Sequence, residues 1–105
     1  MTDAPADARV ARGMAAQLEL RRRAIAAGAR PIGWKVGFGA PAMLERLKIA
    51  GPLTGFLTES ARVPSGGEVS FAGWVKPVIE PEIAVHLGRD VPPGADHDTA
   101  RRMAA

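Results

Sequence analysis

The chain has 105 residues, 47% hydrophobic and 24% charged, with aromatics only 5%. That is enough for one small domain with a limited core of aliphatic side chains. It has no cysteine, which excludes disulfides, zinc ribbons and thiol nucleophiles. The formal net charge of +3 contains a single basic run, Arg21 to Arg23, which reads as a solvated helix face. There is no tyrosine, and Phe and Trp are scattered, so the stacking residues of a nucleic-acid binder are missing and nucleic acid is not expected as a partner. No run reaches the apolar length of a transmembrane helix. Asp3 and Asp7 precede any apolar run, which argues against a signal peptide. A cytoplasmic location, with no membrane partner, is the expectation.

Residues 6–28 read as an N-terminal helix. Val10, Met14, Leu18 and Ile25 recur near multiples of 3.6, and Gly28 and Pro31 supply the stop. Residues 32–38 alternate as a strand. Ile32, Trp34, Val36 and Phe38 form one face, and Gly33, Lys35 and Gly37 the other. Pro41 suits the first position of a short helix whose apolar side is Met43, Leu44 and Leu47, ended by Gly51-Pro52. Residues 53–76 read as short strands between turns, with Ser65-Gly66-Gly67 as a turn and Val69, Phe71, Trp74 and Val75 half-buried. Residues 77–87 read as a second clear strand. A last helix begins near Thr99, with Asp96 or Asp98 as its cap, and runs on to residue 105 without a stop signal.

Two places could carry chemistry. Glu80 and Glu82, two apart on a strand, share a face with Cβ atoms about 6–7 Å apart, close enough to converge on one cation. A hard ion such as Mg²⁺ or Mn²⁺ would offset their mutual repulsion. The bland reading is a solvent-facing acidic strand. Pro81 between them points to an edge strand or a bulge. Lys35 stands between Gly33 and Gly37, leaving room beside its ammonium group for a ligand; the alternative is a lysine on an exposed strand. His86 lies about 13 Å beyond Glu82 along an extended strand, too far to share the ion. A rival motif, Gly37-x-Gly39-x-x-Ala42 with Glu59 downstream, has the form of a dinucleotide-binding turn. No regular βαβ unit follows it, and Pro41 removes an N–H that a pyrophosphate would use.

The stretches GWKVGF at 33–38, GPLTGFL at 51–57 and KPVIEPEIAVHLGRD at 76–90 resemble, in order and separation, the fumarylacetoacetate hydrolase superfamily. The similarity is to its 2-oxopent-4-enoate hydratase and 4-oxalocrotonate decarboxylase branch. The resemblance implies an α+β fold in which the N-terminal helix is followed by part of a mixed β-sheet roll. The chain would then be a single partial domain, truncated, with residues 32–105 starting the catalytic roll. It implies a divalent-metal-dependent lyase (hydratase or decarboxylase) for small 2-oxo acids in aromatic catabolism, and a homo-oligomer. Glu80 and Glu82 would bind Mg²⁺ or Mn²⁺, Lys35 would sit in the active site, and the loop with Phe56 and Leu57 would line the substrate cavity. A third acidic ligand would lie past Ala105, so the 105 residues alone are expected to be inactive or nearly so. Alternatives are an acylpyruvate hydrolase of the same superfamily, a non-catalytic fragment or binding domain, and a dinucleotide- or nucleic-acid-binding module.

Overall fold

The computed structural model describes residues 7–104, in the order helix, strand, helix, strand, 3-10 turn, helix. It is an α+β arrangement: an N-terminal helix followed by a small two-stranded antiparallel sheet. The chain divides between Val69 and Ser70 into two compact units.

The first unit opens with α1, Ala8–Ala26. Asp7 is its N-cap: the carboxylate accepts from the Arg9 backbone N–H at 2.8 Å and from the Arg9 guanidinium at 2.6 Å. The Arg9 side chain, and then its backbone N–H, hold the Asp7 pKa down to about 2. A depressed carboxylate pKa contributes stability that is present above the unfolded value and lost as pH falls through the folded one. Fraying of the first turn of α1 is therefore expected as pH drops from about 4 toward 2, and the amide shift of Arg9 would report it. The helix stops where expected: Gly28 is left-handed at φ 97°, and the Ala29 N–H returns to the Ala24 carbonyl at 2.9 Å.

The face that α1 turns inward differs from the apolar stripe in the sequence. Its half-buried residues include Val10, Met14, Gln17, Arg21 and Ala24, whereas Leu18 and Ile25 are exposed. The helix is rotated so that two polar side chains meet the sheet, because each finds a partner there. Arg21 therefore leaves the solvated run expected of it, and its guanidinium lies 5.4 Å from the Trp34 ring centroid. Arg22 and Arg23 do stay outside, both hydrogen-bonded to Glu19 at 2.7 Å.

Strand β1, Pro31–Gly37, pairs antiparallel with β2, Leu53–Thr58, with a register irregularity between Pro31 and Gly33. Phe38 was expected to end the first strand, but its left-handed φ of 58° takes it out of the ladder. Between the strands lies α2, Pro41–Leu47, with Pro41 at its start as the sequence implies. Its stop is Lys48, left-handed at φ 55°, rather than Gly51-Pro52. Met43, Leu44 and Leu47 are half-buried. Arg9 ties α1 to the end of α2 by donating to the Lys48 carbonyl at 3.2 Å. Against β2, α1 and α2 leave a cleft of about 560 Å³, lined among others by Val10, Met14, Gln17, Leu47 and Leu53. The antiparallel pairing excludes the dinucleotide-binding reading, which needs two parallel strands about a crossover helix.

After the 3-10 turn Glu59–Ala61, the expected turn forms, with Gly66 left-handed at φ 79° and the Gly67 N–H on the Pro64 carbonyl at 2.9 Å. A Cβ on Gly67 would stand 2.8 Å from Val63 Cγ1 and 2.9 Å from the Pro64 carbonyl oxygen. Gly67→Ala should thus destabilise the first unit by about 1 kcal/mol or more, read as a lowered urea midpoint.

The second unit departs furthest from expectation. Residues 77–86 form no strand. Phe71, Trp74 and Val75 are exposed rather than half-buried, Val75 at 93%, as is Val69 at the end of the first unit. Phe71 and Trp74 instead meet each other, with centroids 5.4 Å apart. The physical reason is the lack of a partner: a strand needs a ladder, and among the described residues nothing pairs with 77–86. The last helix, α3, runs His97–Arg102 with Asp96 as its cap, accepting from the Thr99 N–H at 2.7 Å. Unlike the run-on helix in the sequence reading, it stops: Ala104 bridges to Leu87, and the Gly88 N–H donates to the Met103 carbonyl at 2.7 Å.

Among the described residues none is fully buried.

Candidate functional site

Lys35 occupies the centre of β1, opposite Gly55 on β2. Gly33 and Gly37 flank it on its own strand, opposite Leu57 and Leu53. A Cβ on Gly55 would lie 3.4 Å from Lys35 Cγ and 3.3 Å from Gln17 Oε1, so the lysine stem and the Gln17 carboxamide share the space above Gly55. Nothing stands within 4 Å of a Cβ at Gly33 or Gly37. Leu53 and Leu57 are the only side chains of the facing strand on that face. Lys35 is exposed and, among the described residues, makes no ion pair. An ammonium group so placed has space for a planar anion beside it, and no internal carboxylate competes for its charge.

Phe56 and Leu57 lie in β2 itself, not in a loop. Adjacent strand residues point to opposite faces. Leu57 shares the face of Lys35, while Phe56, opposite Trp34, shares the other. Both are half-buried.

Glu80 and Glu82 lie in the second unit, exposed, in the stretch that forms no ladder. Among the described residues neither forms an ion pair, and no group of three or more His, Asp or Glu side chains gathers to hold a metal. Their chemistry fits a hard divalent ion in part: carboxylate oxygens are its preferred donors, and two of them supply a fraction of the six it takes. His86 is exposed in the same stretch.

The sequence reading missed Gln17. Its carboxamide donates to the Thr54 carbonyl at 3.0 Å and accepts from the Phe56 N–H at 2.8 Å. These two groups lie on one edge of β2, two residues apart, where a further strand would bind. Gln17 thus does for that edge what a neighbouring peptide group would do. The signal was present in the spacing: Val10, Met14, Gln17, Arg21 and Ala24 keep helical period, but two of the five are polar.

No family model matches the chain, and no solved structure does. Curated proteins do. A 4-oxalocrotonate decarboxylase from Pseudomonas sp is 39% identical over 59% of the chain and 24% of its own length. A second 4-oxalocrotonate decarboxylase, from Pseudomonas putida, is 38% identical over 66% of the chain and 26% of its own length. A 2-hydroxyhexa-2,4-dienoate hydratase from Comamonas testosteroni is 37% identical over 70% of the chain and 29% of its own length. Homologues from the decarboxylase and hydratase branch therefore cover most of the chain. The chain spans about a quarter of the length of the curated relatives it matches.

Proposed function

We propose that this chain is part of a divalent-metal-dependent lyase, a hydratase or decarboxylase for small 2-oxo acids of the kind met in aromatic catabolism. The observation that carries the reading is the similarity, 37–39% identical, to proteins named for those two reactions. The structure supplies a compatible element: an exposed lysine without an ion-pair partner among the described residues, with open space beside it at Gly33 and Gly37. A 2-oxo acid presents a carboxylate beside a carbonyl. The Lys35 ammonium group would pair with that carboxylate or with the negative charge that develops on the carbonyl oxygen. Leu57, on the same face, would pack against the carbon chain. Glu80 and Glu82 would hold Mg²⁺ or Mn²⁺, which when bound supplies Lewis-acid polarisation of the carbonyl. Hydration and decarboxylation both pass through an enolate-like charge, so the same residues serve either. Cytoplasmic location and a homo-oligomeric state belong to this proposal. Among the described residues no helix is long and apolar enough to cross a membrane.

The test is calorimetry of the 105-residue chain with Mg²⁺ and Mn²⁺, beside an assay on 2-oxo acids. Weak binding that disappears in Glu80→Gln is expected, with little or no turnover, because two carboxylates fix an ion poorly and an open face leaves every charge interaction to compete with water. Metal binding unchanged by both Glu80→Gln and Glu82→Gln would remove the pair from the site.

A further inference from the structure

The two edges of the sheet are not equivalent. On β2 the outer edge is occupied by the Gln17 carboxamide, which engages Phe56 N–H and Thr54 C=O. Those contacts also fix the phase of the ladder. Because Phe56 and Thr54 turn their main-chain groups outward, their partners Trp34 and Val36 stand at non-hydrogen-bonded pairs and turn theirs outward on β1. Among the described residues no backbone or side-chain group pairs with the N–H or C=O of Trp34 or Val36 from that outer side. The side chains along this edge are an aromatic and a β-branched residue, 44% and 56% exposed. Main-chain groups left in this way are a template for another strand.

We propose that a second copy of the chain pairs antiparallel along the free edge of β1, with Trp34 facing its twin at the two-fold axis. The edge is complementary to itself in main-chain groups, and its charge selects the register. Lys35 is the only charged residue in β1. Centring the pair on Lys35 would set two ammonium groups directly opposite each other, which is destabilising. Centring it on Val36 would call on Phe38, whose left-handed backbone cannot continue the strand. Centring it on Gly33 would pair only residues 31–35 and leave Val36, whose main-chain groups also turn outward, without a partner in the strand, whereas centring on Trp34 engages all seven residues. Centring it on Trp34 places each Lys35 opposite the other copy's Gly33, brings the two indoles together, and aligns the N–H and C=O of Trp34 for reciprocal bonds. The product is a four-stranded sheet in the order β2, β1, β1, β2.

The chain lacks cysteine, so a single introduced thiol reads the register. In a hydrogen-bonded antiparallel pair the facing Cα atoms are about 5.5 Å apart, within disulfide range. In the proposed register two residues at position 36 are separated by about 13 Å along the strand. Trp34→Cys, Lys35→Cys and Val36→Cys are oxidised separately under mild conditions, and the wild-type chain is followed by sedimentation over a range of concentrations. The expected result is a concentration-dependent wild-type dimer, cross-linking greatest at position 34, and loss of the dimer in Val36→Pro while circular dichroism keeps the α1 signal. A wild-type chain that stays monomeric, or cross-linking greatest at position 35 or 36, overturns the proposal. Position-independent cross-linking overturns it as well.

Discussion

Replacing Lys35 with alanine, in the longest reading frame that contains these 105 residues, is expected to lower turnover of a 2-oxo acid by roughly 10²-fold. The thermal midpoint should stay within about 2 °C, because an exposed lysine on an edge strand contributes little to stability. The ammonium group sits mid-strand, over Gly55 and between Gly33 and Gly37, without an ion pair among the described residues. Its charge is therefore free for a carboxylate or a developing oxyanion. Lys35→Arg keeps the charge but needs more room, and should recover only part of the rate. A loss confined to kcat would place the lysine against charge that forms during reaction; a loss confined to KM would make it a binding group. Wild-type turnover in Lys35→Ala would take the residue out of the mechanism.

The largest expected effect on stability belongs to Gln17. Gln17→Ala removes two hydrogen bonds, one at the half-buried Phe56 N–H and one at the C=O of the exposed Thr54. A cost of about 1–3 kcal/mol is expected from urea unfolding, with an unchanged slope. Gln17→Glu is the sharper probe. A carboxylate can still accept from Phe56 N–H, but it cannot donate to Thr54 and would face that carbonyl with like charge. The variant should therefore be less stable at neutral pH than in acid, where the protonated carboxyl donates again. In linkage terms its folded pKa is raised above the unfolded value, so its contribution is present at low pH and lost as pH rises through the folded pKa. A Gln17→Ala chain as stable as wild type would show that the edge contacts do not hold α1 to β2.

Much of the first unit was legible because its signals are local. Gly28 and Pro41 act through the backbone groups within one turn of themselves, and each does in the structure what its residue type implies, whereas Asp7, expected inside a helix over 6–28, caps it instead. The inward face of α1 was not legible. Periodicity counts apolar residues, whereas Gln17 and Arg21 were drawn inward by a strand edge and an indole ring that the helix sequence does not contain. Phe38 and Lys48 show the same limit at the backbone level, as left-handed residues of types that carry no turn signal. Residues 77–87 alternate well enough to read as a strand, yet a strand is a property of two segments, and Ile83 remains 95% exposed without one. For the same reason the Glu80 and Glu82 pair was legible as a chemical pattern but not as a geometry: spacing on a strand fixes a face only where a ladder forms.

The Gln17 carboxamide also decides how far association can go. A sheet open at both edges grows without limit, because every added copy offers the next one the same template. Here one edge is stoppered by a side chain from the chain's own helix, and pairing through the other consumes it in both copies at once. In the proposed dimer growth would end at two, as in a closed isologous assembly. Pulling the stopper should convert a finite complex into an extensible one: Gln17→Ala solutions would be expected to bind thioflavin and scatter light on standing, at concentrations where the parent chain stays clear.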